Sequence, residues 1–380
     1  MQIRRSLFSF AFAMSICLTS SFVAQATAAP TKGGPGLTHT AMVTNETGWG
    51  TTDSRVLWTT NGGRTWQTML SVPKLSPFPN EGQHFVFAPV GQDDAWAVTA
   101  TNHGLRTYRT QDAGTTWAQT QLRLGGSQHA SSPGGLTFAD STHGWLLLHD
   151  GVAAGSAPNA ILRTADGGHH WSLVEFNDLA GHSSPMSLPA CDGAVSYLSF
   201  VNSTTGWSTG TCGAGPQIEE VFRTHNGGRT WHQEAVPTPG FKRTYFAAGS
   251  VIPVGVHRLL LLPVSLATPS AFLLYRSIDG SLSWKPTTPI WVRSPYSYLG
   301  PQFTFEALNN LVCWVAIGNA LRRTTNGGIK WYGMSSHLPF RTPTQLDFVN
   351  KHDGFALSFL VGGASRMYAT TDSGRHWYKV

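Results

Sequence analysis

The chain has 380 residues, of which 12% are charged, and its 41 glycines and 22 prolines make up about one residue in six. This composition favours turns and short strands, and it excludes a coiled coil, a helical bundle and a disordered charged tail as the main structure. The formal net charge is only +6 and no cluster of Lys and Arg is present beyond the N-terminal segment, so nucleic-acid binding is not predicted.

Residues 1–28 have the pattern of a secretory signal peptide. Arg4 and Arg5 precede an uncharged apolar stretch that ends in two overlapping small-x-small motifs within residues 24–28. We predict that this segment is cleaved and that the mature protein, residues 29–380, is secreted or extracytoplasmic. The alternative is an uncleaved, membrane-associated N-terminus, because about 20 apolar residues can span a bilayer.

One pattern, Ser/Thr-x-Asp/Asn-x-Gly-x-x-Trp, recurs seven times along the chain, and we call each copy a box. The tryptophans that end the boxes are spaced 46 to 60 residues apart, and the fifth copy carries Ser281 where glycine is expected. The box tryptophans are Trp66, Trp117, Trp171, Trp231, Trp284, Trp331 and Trp377.

The segments around each box predict four short strands. An apolar strand such as 84–87 comes first, followed by a strand that opens with a Gly-Trp type pair such as Gly144-Trp145. A third strand, such as 160–163, runs directly into the box, and a fourth follows the box tryptophan. The fifth repeat lacks the aromatic pair and has four leucines at 259–262 instead.

Four strands in a period of about 45 to 60 residues are typical of a propeller blade. We therefore predict an all-β fold, a single seven-bladed β-propeller over residues 29–380. Each blade has four antiparallel strands, with the box turn between the third and the fourth. The residues after Trp377 are long enough for the last outer strand, so the ring needs no strand exchange from the N-terminus. An open β-solenoid is the alternative.

The Asp or Asn of each box is predicted to be structural. Its short side chain accepts hydrogen bonds from turn N–H groups, the following glycines adopt positive φ, and the tryptophan packs between sheets. Asn at three of the seven positions keeps the hydrogen bonding but cannot perform acid–base chemistry. These residues are Asn61, Asp112, Asp166, Asn226, Asp279, Asn326 and Asp372.

An arginine stands directly before five consecutive boxes, where the first and last repeats carry Trp58 and Ala369. Two interpretations stay open. Each guanidinium stacks on a nearby box tryptophan or pairs with a carboxylate, or the five form a basic arc that docks an acidic protein surface. The five residues are Arg109, Arg163, Arg223, Arg276 and Arg323.

Cysteines and long connections supply further candidates. Cys191 and Cys212 lie in one interval between boxes and are a candidate disulfide, which would contribute roughly 3 kcal/mol. Cys313 lies in an apolar segment and is predicted to be a core residue. Binding in a propeller is expected on loops at the ends of the ring, of which the most irregular are 70–83, 181–185 and 290–301.

The boxes resemble the Asp-box, or bacterial-neuraminidase, repeat. Seven of them paired with Gly-Trp type strands resemble the photosystem II stability/assembly factor-like family. That resemblance implies a secreted or lumenal propeller without enzymatic activity. It also implies a protein partner, such as a membrane protein or complex at the extracytoplasmic face. We expect a monomer that uses no cofactor.

The alternative is a glycan-binding or glycan-hydrolysing propeller, because sialidases and some endoglucanases also carry Asp boxes. The Phe-Arg-Ile-Pro motif of sialidases is matched only by 340–343, in the last repeat and with Thr in place of Ile. No metalloprotease, nucleophile-elbow or phosphate-loop motif occurs in the sequence, so no metal or cofactor is predicted. A carboxylate pair about 5–10 Å apart at the channel mouth would favour hydrolysis. A basic face would favour docking.

Overall fold

The computed structural model of the protein has seven antiparallel sheets arranged in a ring, which confirms the predicted seven-bladed β-propeller. Within the part of the chain that it describes there is no helix. The described residues are 22–23, 31–32, 36–73, 85–101, 104–122, 132–149, 159–177, 188, 197–211, 219–237, 246–254, 260–266, 270–292, 303–335, 338–340, 345–359 and 365–380.

Each blade is built from four strands that are consecutive in sequence, the first nearest the ring axis and the fourth outermost. Blade 1 consists of His39–Met42, Gly48–Thr51, Arg55–Thr59 and Thr65–Ser71; blade 2 of Phe85–Val90, Asp94–Thr101, Gly104–Thr110 and Trp117–Leu122; blade 3 of Ser132–Phe138, Gly144–His149, Asn159–Thr164 and Ser172–Asn177; and blade 4 of Tyr197–Phe200, Gly206–Thr211, Glu219–Thr224 and His232–Gln233. Blade 5 consists of Phe246–Ala248, Leu260–Leu266, Ala271–Ser277 and Lys285–Pro286; blade 6 of Phe303–Ala307, Cys313–Ile317, Ala320–Thr324 and Tyr332–Ser335; and blade 7 of Gln345–Phe348, Gly354–Phe359, Ser365–Thr370 and Tyr378–Lys379.

Four two-residue strands add to these sheets. Thr31–Lys32 and Phe22–Val23 pair outside the fourth strands of blades 1 and 2, and Ile252–Pro253 and Ile290–Trp291 extend blade 5. Phe22–Val23 lies inside the segment predicted to be a signal peptide, and its cleavage stays a prediction. Among the described residues, no helix is long and apolar enough to cross a membrane.

Two kinds of turn lie at the same end of the ring, which we call the box end. The box turn joins the third and fourth strands, and a short turn joins the first and second strands. The two turns are bonded to each other, as where the Gly167 N–H donates to the Thr142 carbonyl at 2.8 Å and the Gly227 N–H to the Thr204 carbonyl at 2.8 Å. Side chains of both turns therefore share one face.

The core lies between neighbouring blades, where aromatic rings stack across several of the seams. The ring of Trp145 in blade 3 lies 3.5 Å from that of Phe200 in blade 4, at an interplanar angle of 3°. Gly206, opposite Phe200 in the sheet, leaves room for that ring, since a Cβ there would lie 2.3 Å from Phe200. The glycine of the Gly-Trp pair is therefore a packing requirement.

The ring closes between blades 7 and 1 without strand exchange, as predicted, because blade 7 uses its own Tyr378–Lys379 as outer strand. Side chains of blade 7 instead bond the backbone of the first strand of blade 1. Gln345 accepts from the Thr40 N–H at 2.8 Å and donates to the Thr40 carbonyl, and Asp347 accepts from the Met42 N–H. We call this contact the closing seam.

Candidate functional site

All seven box turns have the same internal hydrogen bonds. In the third, the Thr164 hydroxyl donates to Asp166 Oδ1 at 2.8 Å and accepts from the Gly168 N–H at 2.9 Å. Asp166 Oδ1 also accepts from the His170 N–H at 2.9 Å. The equivalent three bonds recur in every other box. The carboxylate or amide oxygen is thus engaged inside its own turn.

These bonds keep the box carboxylates ionised. Hydrogen bonds from Ser283 and Ser277 lower the pKa of Asp279 to about 2. The pKa values of Asp112, Asp166 and Asp372 are lowered as well, because their hydrogen bonds outweigh burial, which acts in the opposite direction. A carboxylate held in this way is a poor proton donor at neutral pH.

The arginines that precede the boxes lie in the seams between blades, and all five side chains are partly buried. Four guanidiniums stand over the tryptophan of the second strand in their own blade, at 5.0 to 5.8 Å from the ring centroid, and not over a box tryptophan. The four pairs are Arg109 with Trp96, Arg163 with Trp145, Arg223 with Trp207 and Arg323 with Trp314.

Several of these arginines also reach across the seam to the next blade. Arg109 donates to the Ser141 carbonyl at 3.0 Å, Arg163 to the Ser203 carbonyl at 3.2 Å and Arg323 to Ser373 Oγ at 3.2 Å. Arg276 lies against the sixth box, because a Cβ at Gly327 would come within 2.7 Å of its Cζ. Stacking and cross-seam bonding favour a structural role, and docking by these five residues stays a prediction.

Two carboxyl groups on the first strands of blades 6 and 7 are not predicted by any sequence pattern. Glu306 and Asp347 are both partly buried. Burial, and next the charge of Asp347, raise the pKa of Glu306 to about 8, while burial raises the pKa of Asp347 to about 6. No motif marks these residues, because strands from two different repeats bring them together.

A cavity of about 510 Å³ lies among the first strands of blades 1 to 3, toward the end of the ring opposite the boxes. Its lining combines aromatic and polar groups, including Phe85, Phe87, His39, Asp53 and Thr38. Burial lowers the pKa of His39, so this ring is neutral at pH 7. A mixed lining of this size suits a small polar ligand.

The remaining candidates, namely the cysteines, the loops and metal-binding groups, do not define a site. Cys191 and Cys212 lie outside the described residues, as do 181–185 and most of the loops 70–83 and 290–301. Cys313 is buried as predicted, and burial raises its pKa to about 12. Among the described residues, no three His, Cys, Asp or Glu side chains form a group that could hold a metal ion.

Comparison with known proteins gives one curated relative at low identity. No protein-family model matches the chain. A xyloglucanase from Paenibacillus sp. is 24% identical over 306 residues, which cover 75% of this chain and 28% of the enzyme. The chain therefore spans little more than a quarter of the length of the relative that it matches.

Solved structures share the fold over nearly the whole chain. YCF48 bound to D1 peptide superposes with a TM-score of 0.54 at 15% identity, covering 93% of this chain and 96% of that chain. YCF48 from Cyanidioschyzon merolae gives a TM-score of 0.51 at 15% identity, covering 91% and 95%. The GH74 xyloglucanase from Xanthomonas campestris gives 0.58 at 15% identity, covering 95% and 56%. At these identities the likeness establishes the propeller fold, which both protein classes share.

Proposed function

We propose that the protein is a secreted, non-enzymatic propeller that binds a protein partner as a scaffold, in the manner of the photosystem II assembly factors. The observation that supports this is the contrast between the positions of each box. Five of its eight positions have the same structural role in every blade, while the residue at the sixth position points outward from a turn that is otherwise the same.

The sixth position is exposed in every blade and differs in chemistry from blade to blade. A rigid frame that presents variable side chains on one face is the arrangement expected of a binding surface. The seven residues are Arg64, Thr115, His169, Arg229, Leu282, Ile329 and Arg375.

One of the solved structures that share the fold supports this proposal. YCF48 bound to D1 peptide covers 93% of this chain, and that propeller holds a peptide. A propeller of this size that holds a peptide supports protein binding by this chain. Secretion would bring this protein to the extracytoplasmic face, where a membrane protein is accessible as its partner.

The test is capture followed by reconstitution. Residues 29–380, purified and immobilised, are exposed to membrane and extracytoplasmic fractions of the native host. A retained protein is identified, purified and titrated against the free propeller. We expect saturable binding at a fixed stoichiometry. Retention of glycan alone, or of no protein that binds saturably, would contradict the proposal.

Glycan hydrolysis is the second candidate, and Glu306 and Asp347 are the observation that favours it. A carboxyl group with a pKa near 8 stays protonated at neutral pH and can act as a general acid beside a second carboxylate. Here the proton of Glu306 would pass to the glycosidic oxygen.

This candidate is tested with xyloglucan, arabinan and a sialoside as substrates. Release of reducing sugar by the wild-type protein, with loss in Glu306→Gln and Asp347→Asn variants that still fold, would establish hydrolysis. No release from any substrate by folded wild-type protein is the result that the scaffold proposal expects.

A further inference from the structure

The exposed sixth position of the box is apolar in two adjacent blades only. Leu282 in blade 5 is 78% exposed and Ile329 in blade 6 is 61% exposed, whereas Arg, Thr or His occupies the equivalent position in the other five blades. It is energetically unfavourable to leave large aliphatic side chains this exposed to water unless a partner covers them. Their occurrence at equivalent positions next to each other marks one sector of the box end.

A second position shows the same change in the same sector. In six blades a carbonyl of the turn between the first and second strands accepts a hydrogen bond from the fourth residue of the box. In blade 6 that carbonyl belongs to Leu311, which is 46% exposed. The equivalent residues in the other blades are polar and exposed: Glu46, Asp93, Thr142, Thr204 and His352.

Ile278, the second residue of the fifth box, adds a fourth apolar side chain and is 67% exposed. Direct contacts hold the turns of blades 5 and 6 together. Thr288 Oγ1 in blade 5 donates to the Ile329 carbonyl at 2.9 Å, and Arg276 lies between the two boxes against Gly327. We call Ile278, Leu282, Leu311 and Ile329 the apolar patch.

Exposed cations border this patch. Arg229 and Arg375 occupy the sixth position in the blades on either side, and Lys330 follows Ile329 directly. Two carboxylates near the fifth box are already engaged: both oxygens of Asp279 accept from Ser277 and Ser283, and Glu234 bonds Ser281. Arg229 donates to the Asn226 carbonyl and Lys330 lies over the Tyr332 ring, yet both side chains are exposed, so the border presents positive charge to carboxylates of a partner.

We propose that the apolar patch docks an amphipathic protein segment whose apolar side chains are flanked by Asp or Glu. This inference rests on the scaffold function proposed above and adds the surface and the chemistry of the partner. Leu282 and Ile329 supply the apolar contact, and Arg229, Lys330 and Arg375 orient the acidic flanks. A second copy of this chain is the other occupant considered, and the test distinguishes it.

The first arm of the test uses a synthetic helical peptide with a leucine stripe bordered by glutamates, and a control peptide with lysines in place of the glutamates. The patch variant is Leu282→Thr, Leu311→Thr and Ile329→Thr, which restores the polar chemistry of the other blades. The control variant is Val43→Thr, Leu173→Thr and Phe359→Thr, which removes exposed apolar side chains elsewhere.

We expect fluorescence anisotropy to show binding of the glutamate peptide that weakens at least about tenfold in the patch variant and less than about twofold in the control variant. Added salt weakens this binding, and the lysine peptide binds poorly. Equal affinity of both variants for the glutamate peptide, or preference for the lysine peptide, overturns the inference.

The second arm separates this inference from the scaffold proposal. A photo-crosslinking amino acid replaces Leu282 or, as control, Leu173 in the protein used for capture from the native host. Crosslinks from position 282 to a heterologous acidic segment support the inference. Crosslinks only from 173, or from 282 to a second copy of this chain, overturn it while leaving saturable protein capture intact. Loss of saturable capture by the unmodified protein is a failure of the scaffold proposal itself.

Discussion

Gly206 shows how a single missing side chain determines the packing of a seam. The carbon that an alanine would add lies 2.3 Å from the ring of Phe200, and that ring is stacked on Trp145 of the neighbouring blade. Neither ring has free space to move into, because Trp145 is fully buried. The same geometry recurs at Gly144 and Gly354, where the added carbon would lie 2.4 Å from a phenylalanine.

We therefore predict that Gly206→Ala lowers the free energy of unfolding by about 2–3 kcal/mol, since overpacking in a tight core costs that much. Gly135→Ala is the matched control, because its added carbon meets only Leu147, at 3.9 Å. Urea denaturation followed by tryptophan fluorescence measures both. Equal stability of the two variants would contradict the packing argument.

Ala113 is the converse case, because a side chain is present where the backbone conformation favours glycine. It occupies the fourth position of the second box with φ at 55°, where most other boxes have glycine. We predict that Ala113→Gly raises the free energy of unfolding by about 0.5–1 kcal/mol, because relief of the left-handed strain exceeds the entropy cost of glycine. Ser281→Gly, also at positive φ, should give no such gain, because Ser281 Oγ accepts a bond from Trp207 Nε1 at 3.0 Å. Differential scanning calorimetry of the two variants tests the contrast, and a loss of stability in Ala113→Gly would refute it.

At the scale of the strand and turn, most of the architecture was predictable. Turn chemistry and strand patterning repeat in each blade, so seven imperfect copies average out local ambiguity. The Gly-Trp pair is evident in the sequence, but its reason is not, because the Phe200 ring that needs the glycine comes from an earlier strand. The arginines are evident too, but the prediction places them on a box tryptophan, since sequence does not reveal which ring is opposite in the sheet. In the sheet, Arg163 is directly opposite Trp145.

The arginines that precede the boxes should stabilise the contacts between neighbouring blades. We predict that Arg163→Met lowers the free energy of unfolding by about 1–2 kcal/mol, because it loses the stacking on Trp145 and leaves the Ser203 carbonyl unpaired. Arg366→Met, at an exposed position of a third strand, is the control and should change stability little. Chemical denaturation compares them.

A docking role for Arg163 predicts a different outcome for the same variant. Partner binding would weaken while the free energy of unfolding stayed at the wild-type value. Measuring both quantities on Arg163→Met therefore decides between the two interpretations that the sequence left open.

Across the whole molecule, the closing seam is the feature that the repeats could not reveal. Gln345 and Asp347 satisfy backbone groups of blade 1 in place of a shared strand, and Glu306 in blade 6 faces the same carboxylate. The apolar patch was also open to discovery from sequence, by aligning the sixth residues of the boxes. Glu306 and Asp347 are not evident in this way, because their significance depends on burial and on contacts among blades 6, 7 and 1.

The raised pKa of Glu306 makes ring stability depend on pH. A carboxyl whose folded pKa is about 8 keeps its proton in the folded state, while the unfolded chain loses it near 4.5. The unfolded state then binds fewer protons, so stability falls as pH rises toward 8. Between pH 7 and 8.5 this one group accounts for a loss of about 1 kcal/mol. His39 and His149 do not oppose it there, since desolvation lowers the pKa values of both rings and they are already neutral.

We predict that Glu306→Gln removes most of this loss, so that its advantage in unfolding free energy over the wild type grows by about 1 kcal/mol from pH 7 to 8.5. Gln345→Ala, at the closing seam between blades 7 and 1, is the control. It weakens the bonds to Thr40 without removing a titrating group, and should lower stability by a similar amount at both pH values. Denaturation midpoints measured across this pH range compare the three proteins. If the wild type and Glu306→Gln change in parallel with pH, the Glu306 carboxyl is not the group that makes stability depend on pH in this range.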